Sequence, residues 1–388
     1  MSKINILIVC EAVFPESKGG LERWLTTLSE ELTKKNLNIT YFNRQNINLN
    51  RNGVQYISPF NFAWSYKSGG KRSIFQAIAF ALGTFKHLRN SNYDVIYCSS
   101  VPVLPIILIA FNNLWSKKVL IVEWFEVWSL KYWVSYIGYT RGIVGWLVQL
   151  LAQQLGDARI TYNNNAFNYL YKKSFLGNAS NIIKLKGLYT NLNTHENKKH
   201  NLNRNDIIFL GRFTSEKQPI LAIDIISELV NIGWVGHFWM IGTGPLKLEI
   251  EAKTKRINLE HRVTILNNVS DQIIEKKMLS SFALLHPSKR EGYGLAILEA
   301  AGRGVPAIMI RYPENRAIEL EILPELVSES EIPKDMVALL LHAHKYQEQI
   351  RKKLKKSINK NSNISNINES ITNIEKIILN LHKPIDYL

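Results

Sequence analysis

Residues 191–205 form a polar stretch rich in Asn, Lys and His, without apolar periodicity, and it divides the sequence in two. On either side, short apolar runs alternate with segments of helical spacing, the pattern of parallel strands joined by crossover helices. In the first part, residues 4–9, 39–42, 95–98 and 119–122 read as strands. Leu21, Trp24, Leu25, Leu28 and Leu32 mark one face of a helix reaching about Lys35. In the second part, strands are expected over 207–210, 235–241, 263–266, 283–286 and 305–310. The helices between and after them fall at 220–230, 246–255, 271–280 and 295–303. Residues 334–358 read as one further helix, 359–373 as a loop and 374–382 as a last helix. The expectation is an α/β chain of two doubly wound layers, 1–190 and 206–369, with 191–205 as linker and a cleft between the layers.

Charge is unevenly placed. Residues 1–200 hold 23 Lys and Arg against 10 Asp and Glu, a net of +13, whereas 201–388 hold 25 against 22, a net of +3. Seven of the nine Trp also lie in the first part, and residues 51–90 carry six basic residues and no acid. Basic and aromatic residues together suit an anionic partner, either a membrane surface or a phosphorylated substrate; nothing specifies a nucleic acid. The aromatic stretch from Trp124 to Trp146, interrupted by Lys131 and Arg141, points to an anionic membrane surface. Two cysteines, Cys10 and Cys98, supply no disulfide framework and fit a reducing compartment. The longest apolar run, 101–111, contains Pro102 and Pro105 and is far short of the roughly 20 residues that span a bilayer. No signal peptide is read in residues 1–10, so a cytoplasmic chain is expected, at most peripheral on the inner face of a membrane.

The most specific stretch is His286 to Pro306, H-P-S-K-R-E-G-Y-G-L-A-I-L-E-A-A-G-R-G-V-P. It sets Glu291 in a loop after a strand and Glu299 two helical turns further on, on the same side as that loop, so the two carboxylates can address two parts of one ligand. Gly292, Tyr293 and Gly294 form the turn, and Leu295 opens a helix whose N–H groups face an anion. Gly211-Arg212-Phe213-Thr214-Ser215-Glu216-Lys217 follows the first strand of the second part and puts two cations at a ligand-binding edge. Gly242 sits in another strand-to-helix turn. Gly19 and Gly20, followed by Glu22, open the first helix of the chain and can present backbone N–H groups across the expected cleft to the same anionic ligand.

These residues resemble the retaining glycosyltransferases of family 4, which have the GT-B fold of two facing Rossmann-like domains. The resemblance rests above all on the E-x7-E pair in the context P-S-x-x-E-G-x-G-x-x-x-L-E-A. It implies that Glu291 meets hydroxyls of the donor sugar and Glu299 the ribose of the nucleotide. It further implies that Arg212 and Lys217 hold the leaving diphosphate, that residues 1–190 bind acceptor, and that a C-terminal helix of about 370–388 packs back on them. The co-substrate implied is a nucleotide-diphosphate sugar and the acceptor a carbohydrate or lipid-linked glycan. No D-x-D occurs and no His cluster suits a metal, so no metal and no cofactor are expected.

The first part departs from the pattern. A His of the family's acceptor-domain loop is replaced by Phe125, next to Glu126. That leaves two readings: another sugar, with support from Glu126, or a subunit that binds a sugar nucleotide without efficient transfer and partners an active transferase. The usual Asn-Gly-x-Asp is altered to Lys186-Gly187-Leu188-Tyr189. A dinucleotide-dependent oxidoreductase would carry G-x-G-x-x-G after the first strand, and residues 10–20 lack it.

Overall fold

The computed structural model describes residues 3–17, 19–60, 73–174, 179–189, 204–320, 322–360 and 364–382. Most of the expected linker 191–205, the basic residues within 61–72 and the tail from 383 lie outside the described residues. The chain forms two compact units. Unit 1 holds the described residues up to Gly187 and again from Asn368, and unit 2 runs from Leu188 to Ile367.

Unit 1 begins with β1 (Asn5–Val9), α1 (Gly20–Lys34), β2 (Asn38–Phe42), β3 (Leu49–Arg51), β4 (Val54–Ile57) and α2 (Ile74–Arg89). It continues with β5 (Val95–Ser99), α3 (Leu104–Ser116), β6 (Val119–Trp124), α4 (Leu130–Ile137), α5 (Tyr139–Ala152), β7 (Ala158–Thr161), α6 (Asn164–Lys172) and β8 (Ile182–Lys184). The sheet order is β3-β4-β2-β1-β5-β6-β7-β8, parallel except for the edge strand β3. Strands covered on both faces must be apolar throughout, and Ile6, Leu7 and Ile8 are fully buried. Leu7, Val9, Ile96, Cys98 and Val122 share one core with Phe80 of α2 and with Ile106 and Ile109 of α3. Pro105 falls in the first turn of α3, where its missing N–H has no partner to lose. That is how the proline-bearing run 101–111 comes to hold a helix.

Helices α4 and α5 form a tight hairpin. A Cβ at Gly142 would lie 2.6 Å from the backbone N and Cα of Val134, and one at Gly145 2.6 Å from the Trp133 ring. The two glycines let α5 approach α4 to backbone contact. Gln149 of α5 then clamps Trp128 by two bonds, its Oε1 accepting from Trp128 N–H at 3.1 Å and its Nε2 donating to Trp128 O at 2.9 Å.

The short strand β9 (Gly187–Tyr189) precedes unit 2 proper. There follow β10 (Asp206–Leu210), α7 (Pro219–Asn231), β11 (Phe238–Ile241), α8 (Lys247–Arg256), β12 (Val263–Leu266), α9 (Asp271–Ser280) and β13 (Ser281–His286). Then come β14 (Arg290–Glu291), α10 (Leu295–Gly302), β15 (Ala307–Ile310), β16 (Glu314–Asn315), β17 (Val327–Ser328), α11 (Pro333–Lys345), α12 (Gln347–Lys360), β18 (Ile364–Asn366) and α13 (Ile367–His382). The main sheet is parallel in the order β12-β11-β10-β13-β15-β17, while β14 pairs with β16 and β9 with β18. The fold class is α/β, as the sequence predicts.

Three stretches differ from expectation. The helix expected over 334–358 is two helices that part at Tyr346, whose ψ of 33° leaves the helical region. The expected loop 359–373 is largely taken up by the end of α12, by β18 and by the start of α13. Strand β11 starts at Phe238 rather than 235, because the chain at Gly236 passes against the Asn205 carbonyl, which a Cβ would meet at 2.0 Å.

Gly142→Ala sets the better helix propensity of Ala, about 1 kcal/mol, against overpacking of backbone by backbone, about 1–3 kcal/mol. The expected outcome is a lower melting temperature in calorimetry. A higher one would mean that α4 and α5 are free to part.

Candidate functional site

In unit 2 the chain runs outward from β10 through β11 to β12, then returns to β13 on the other side of β10. Neighbouring strands whose connections leave in opposite directions open a crevice at their carboxyl ends, where α/β sheets bind ligands. The segments that emerge there are 211–217 after β10 and 287–291 after β13, two of the stretches singled out in the sequence.

Four contacts tie the segments together. Lys289 N–H donates to Glu216 O at 2.8 Å, and Arg290 Nη1 lies 3.6 Å from Glu216 Oε1. Lys217 Nζ donates to Arg290 O at 3.4 Å and forms an ion pair with Glu291 Oε2. Both partners of that pair are largely shielded, with side-chain exposures of 13% and 17%. Gln218 ends the loop in the left-handed region at φ 50°, and its Oε1 accepts from Tyr312 OH at 2.8 Å.

His286, the buried last residue of β13, completes the cluster. Its Nε2 lies 3.0 Å from Glu291 Oε2 and 3.1 Å from Ser288 Oγ, which assigns the ring proton facing the carboxylate to Nε2. Its Nδ1 is buried without a hydrogen-bond partner among the described residues. Burial pushes the Glu291 carboxyl up, but the Lys217 ammonium and the His286 ring outweigh it and hold the group well below the usual carboxylate range. Glu291 is therefore an anion with its acceptor lone pairs fixed in space. Its strand β14 pairs with β16 in register with Asn315, whose Nδ2 donates to Ser288 O at 3.1 Å. Asn315 is the member of this site that sequence reading passed over, and its signal is its place at a strand end beside the E-G-Y-G turn; His286 and Ser288 lie inside the stretch singled out in the sequence.

The glycine turn continues from Glu291. Gly294 has φ 91° and is the N-cap of α10, with no side chain capping it, and a Cβ there would lie 2.6 Å from the Ala317 methyl. Ile297 and Leu298 N–H already donate to Gly294 O, so the N–H groups of Leu295 and Ala296 are the ones left to a ligand or water. Gly292 is half-buried and Tyr293 buried. Glu299 is half-buried on the second turn of α10, and its backbone carbonyl accepts from Arg303 Nη1 at 2.9 Å. Arg212 stands exposed on the same loop as Lys217, and its guanidinium makes no hydrogen bond or ion pair among the described residues. Gly242 has a packing role: a Cβ would meet the Gly211 carbonyl at 1.9 Å. Its loop seats the Arg212 loop by backbone bonds, Phe213 N–H to Thr243 O at 2.8 Å among them.

The remaining candidates belong to unit 1. Gly19 is the N-cap of α1 and Gly20 its first residue. The buried Glu22 carboxylate folds over them, since a Cβ at Gly19 would lie 1.9 Å from Glu22 Oε2. Phe125, just past β6, stacks on Tyr162 at 4.9 Å and 27°, and its carbonyl accepts from Asn163 Nδ2 at 2.7 Å. Glu126 beside it is half-buried. What holds these parts is a residue the sequence did not flag. Glu123, 1% exposed in β6, accepts on Oε1 from Trp24 Nε1 at 2.7 Å, Tyr97 OH at 2.7 Å and Tyr162 OH at 2.6 Å. Its Oε2 is buried without a partner among the described residues. Burial pushes this carboxyl up to about 7, against three donors that favour its charged form. Cys10 and Cys98 are buried free thiols, and burial with the nearby Glu22 pushes Cys10 up to about 12, so it is unreactive at neutral pH.

Two α/β units of this kind, the second bearing the paired-Glu turn, define a GT-B protein. Residues 191–367 match the family described as Glycosyl transferases group 1. Solved structures share the fold across the chain. Sucrose-phosphate synthase from Thermosynechococcus elongatus superposes with a TM-score of 0.75 at 14% identity, over 98% of this chain and 99% of that one. Anabaena HepE, solved in complex with UDP and glucose, superposes with a TM-score of 0.72 at 13% identity, over 97% and 99%. Among curated proteins, the 2-deoxystreptamine N-acetyl-D-glucosaminyltransferase of Niallia circulans is 23% identical over 256 residues, 63% of this chain and 66% of that protein's length. The chain has the GT-B fold, and its residues 191–367 are similar to the family of glycosyl transferases group 1.

Two outcomes follow from the electrostatics. Lys217→Met leaves a shielded carboxylate without its cation and is expected to cost about 3 kcal/mol. Adding Glu291→Gln should recover most of that in a double-mutant cycle by calorimetry, and strictly additive losses would show that the pair is not coupled. For Glu123, a folded carboxyl that ionises near 7 instead of its ordinary 4.5 makes stability fall as pH rises between those values and adds no further loss above them. Glu123→Gln should therefore flatten the urea-midpoint profile between pH 5 and 7, and parallel profiles for the two proteins would refute the assignment.

Proposed function

We propose that the chain moves a glycosyl group from a nucleoside-diphosphate sugar to a carbohydrate or lipid-linked acceptor, with retention at the anomeric carbon and without a metal or cofactor. The observation that carries this is the cluster of Lys217, Glu291 and His286 beside the uncommitted Arg212, at the point where the sheet of unit 2 changes direction.

Departure of a nucleoside diphosphate puts negative charge on phosphate oxygens and positive charge on the sugar ring. Arg212 offers a planar pair of donors to that phosphate. Lys217 has three N–H groups; Glu291 and the Arg290 carbonyl account for two, which leaves the third for a phosphate oxygen. The ammonium then links the leaving group to the sugar-binding carboxylate. Glu291, kept ionised, accepts from sugar hydroxyls, with His286 fixing its orientation. Gly292, Tyr293 and Gly294 bring backbone close to the donor, the start of α10 at Leu295 faces phosphate, and Glu299 takes the ribose hydroxyls. In the reaction, the acceptor oxygen bonds to the anomeric carbon as the bond from that carbon to phosphate breaks. The acceptor's proton passes to the departing phosphate oxygen, so attack comes from the leaving-group face. Unit 2 is the donor half. Unit 1, with Glu22, Phe125 and Glu126, is the acceptor half, while Gly19 and Gly20 offer backbone N–H groups to the donor. The UDP and glucose complex of HepE and the N-acetylglucosaminyl transfer named for the Niallia protein support this class of donor.

A second reading is favoured by one observation. Phe125, stacked on Tyr162, offers no donor or acceptor side chain where the family carries His. On that reading the chain binds a sugar nucleotide and partners an active transferase.

A thermal-shift panel of nucleoside diphosphates and their sugars tests both. A ligand at 100 times its Kd stabilises by about 2.7 kcal/mol, and Arg212→Ala with Lys217→Ala should abolish the shift. With the acceptor supplied, Arg212→Ala should lower kcat by about 10²–10³, product should keep the donor's anomeric configuration, and a chelator should leave turnover unchanged. A shift without turnover in the natural protein supports the binding subunit. No shift from any nucleotide sinks the donor site itself.

A further inference from the structure

Helices α2, α3, α4 and α5 contain no Asp or Glu at all. In unit 2, by contrast, α8 and α9 mix signs, reading KLEIEAKTKR and DQIIEKKMLS. In unit 1, α2 packs on α3, α3 on α5 and α5 on α4, so the acid-free helices are contiguous. Inward they bury Phe80, Ile106 and Ile109 in the core. Outward they expose a second apolar set: Phe75 and Leu82 of α2, Leu114 and Trp115 of α3, and Val144 and Leu147 of α5, from 48% exposed at Leu147 to 78% at Phe75.

These positions recur at helical spacing. Phe75, Ile78 and Leu82 form one stripe of α2, and Val144, Leu147 and Leu151 one stripe of α5. Each stripe runs into an exposed cation on the same helix face or at its end: Leu82 into Lys86, Val144 into Arg141, Leu114 into Lys117. An apolar band with a cationic border and no anion on its helices matches an anionic interface with apolar depth beneath it. Two copies of this face set against each other would align like charges around the same axis, so self-association is the poorer fit. Trp115, with a polar N–H on an apolar ring, suits the boundary between headgroup and acyl chain. Among the described residues no helix is long and apolar enough to cross a bilayer, so the contact is with its surface.

We infer that the face built by α2, α3 and α5 docks on a lipid bilayer surface bearing anionic headgroups. The inference stands apart from the donor site and does not depend on it. The apolar stripes enter the headgroup region, while Lys86, Lys117 and Arg141 meet lipid phosphates.

The test is co-sedimentation of the full chain with vesicles of phosphatidylcholine alone or with about one-third phosphatidylglycerol, at low and high salt. The natural protein should sediment with the anionic vesicles, less so as salt rises. Leu114→Ser with Trp115→Ser should weaken partitioning about tenfold, and Lys117→Glu with Arg141→Glu should remove the preference for anionic lipid. Both variants alter exposed side chains and should keep the melting temperature and any nucleotide-induced shift of the natural protein. Lack of sedimentation, or sedimentation that neither variant changes, overturns the inference. So does a solution mass of two chains that reverts to one in Leu114→Ser with Trp115→Ser while vesicles are ignored, because the face would then belong to a second copy. A null nucleotide panel together with vesicle binding would defeat the donor reading alone.

Discussion

One ion pair, between residues 74 positions apart in sequence, organises the site of unit 2. Lys217 comes from the loop after β10 and Glu291 from the loop after β13, and only the return of the chain to the far side of β10 makes those loops neighbours. The other contacts take their sense from this pair. The Glu291 carboxylate is shielded enough to favour its neutral form, and the ammonium keeps it charged. Because it is charged, His286 presents a ring N–H to it and Ser288 shares the same nitrogen. The glycine turn at 292–294 then starts from a fixed point and aims the first turn of α10.

Unit 1 holds a second buried carboxyl with the opposite solution. Glu123 has no cation, only neutral donors from Trp24, Tyr97 and Tyr162 crowded onto one oxygen. Burial therefore raises it where Lys217 lowers Glu291. The bonds gather the head of α1, the middle of the sheet and the ring beneath Phe125 around one group. Loop positions that look independent in sequence share this support.

How far the sequence could be read depended on whether the physical cause was local. Strand β12 and helix α9 coincide with the expected 263–266 and 271–280, since a buried parallel strand is a continuous apolar run and an amphipathic helix shows its period. The α11–α12 break at Tyr346 has no Gly or Pro to announce it; the cap is set by packing, and the helical period persists across it. Within the site, Arg212, Lys217, Glu291 and Glu299 stood out because glycines and strand ends frame them. That Lys217 and Glu291 bind one another was not legible, as nothing local relates positions on two crossover segments. Glu123 was hidden for the same reason, being one acid inside the run Ile121-Val122-Glu123-Trp124, with partners drawn from three distant elements.

Among the described residues the chain passes between its units twice, and unit 1 is closed by residues from Asn368 onward. Helix α13 buries Ile371, Ile374 and Ile378 there, and Glu375 reaches Lys35 beyond the end of α1 at 2.5 Å. During synthesis from the N-terminus, the first unit therefore waits with an uncovered apolar strip until all of the second has been made. Unit 2 has no such debt, because its sheet draws on one continuous segment. The order of translation thus favours completion of the unit with the paired-Glu turn first, and makes the earliest part of the chain the last to be sealed.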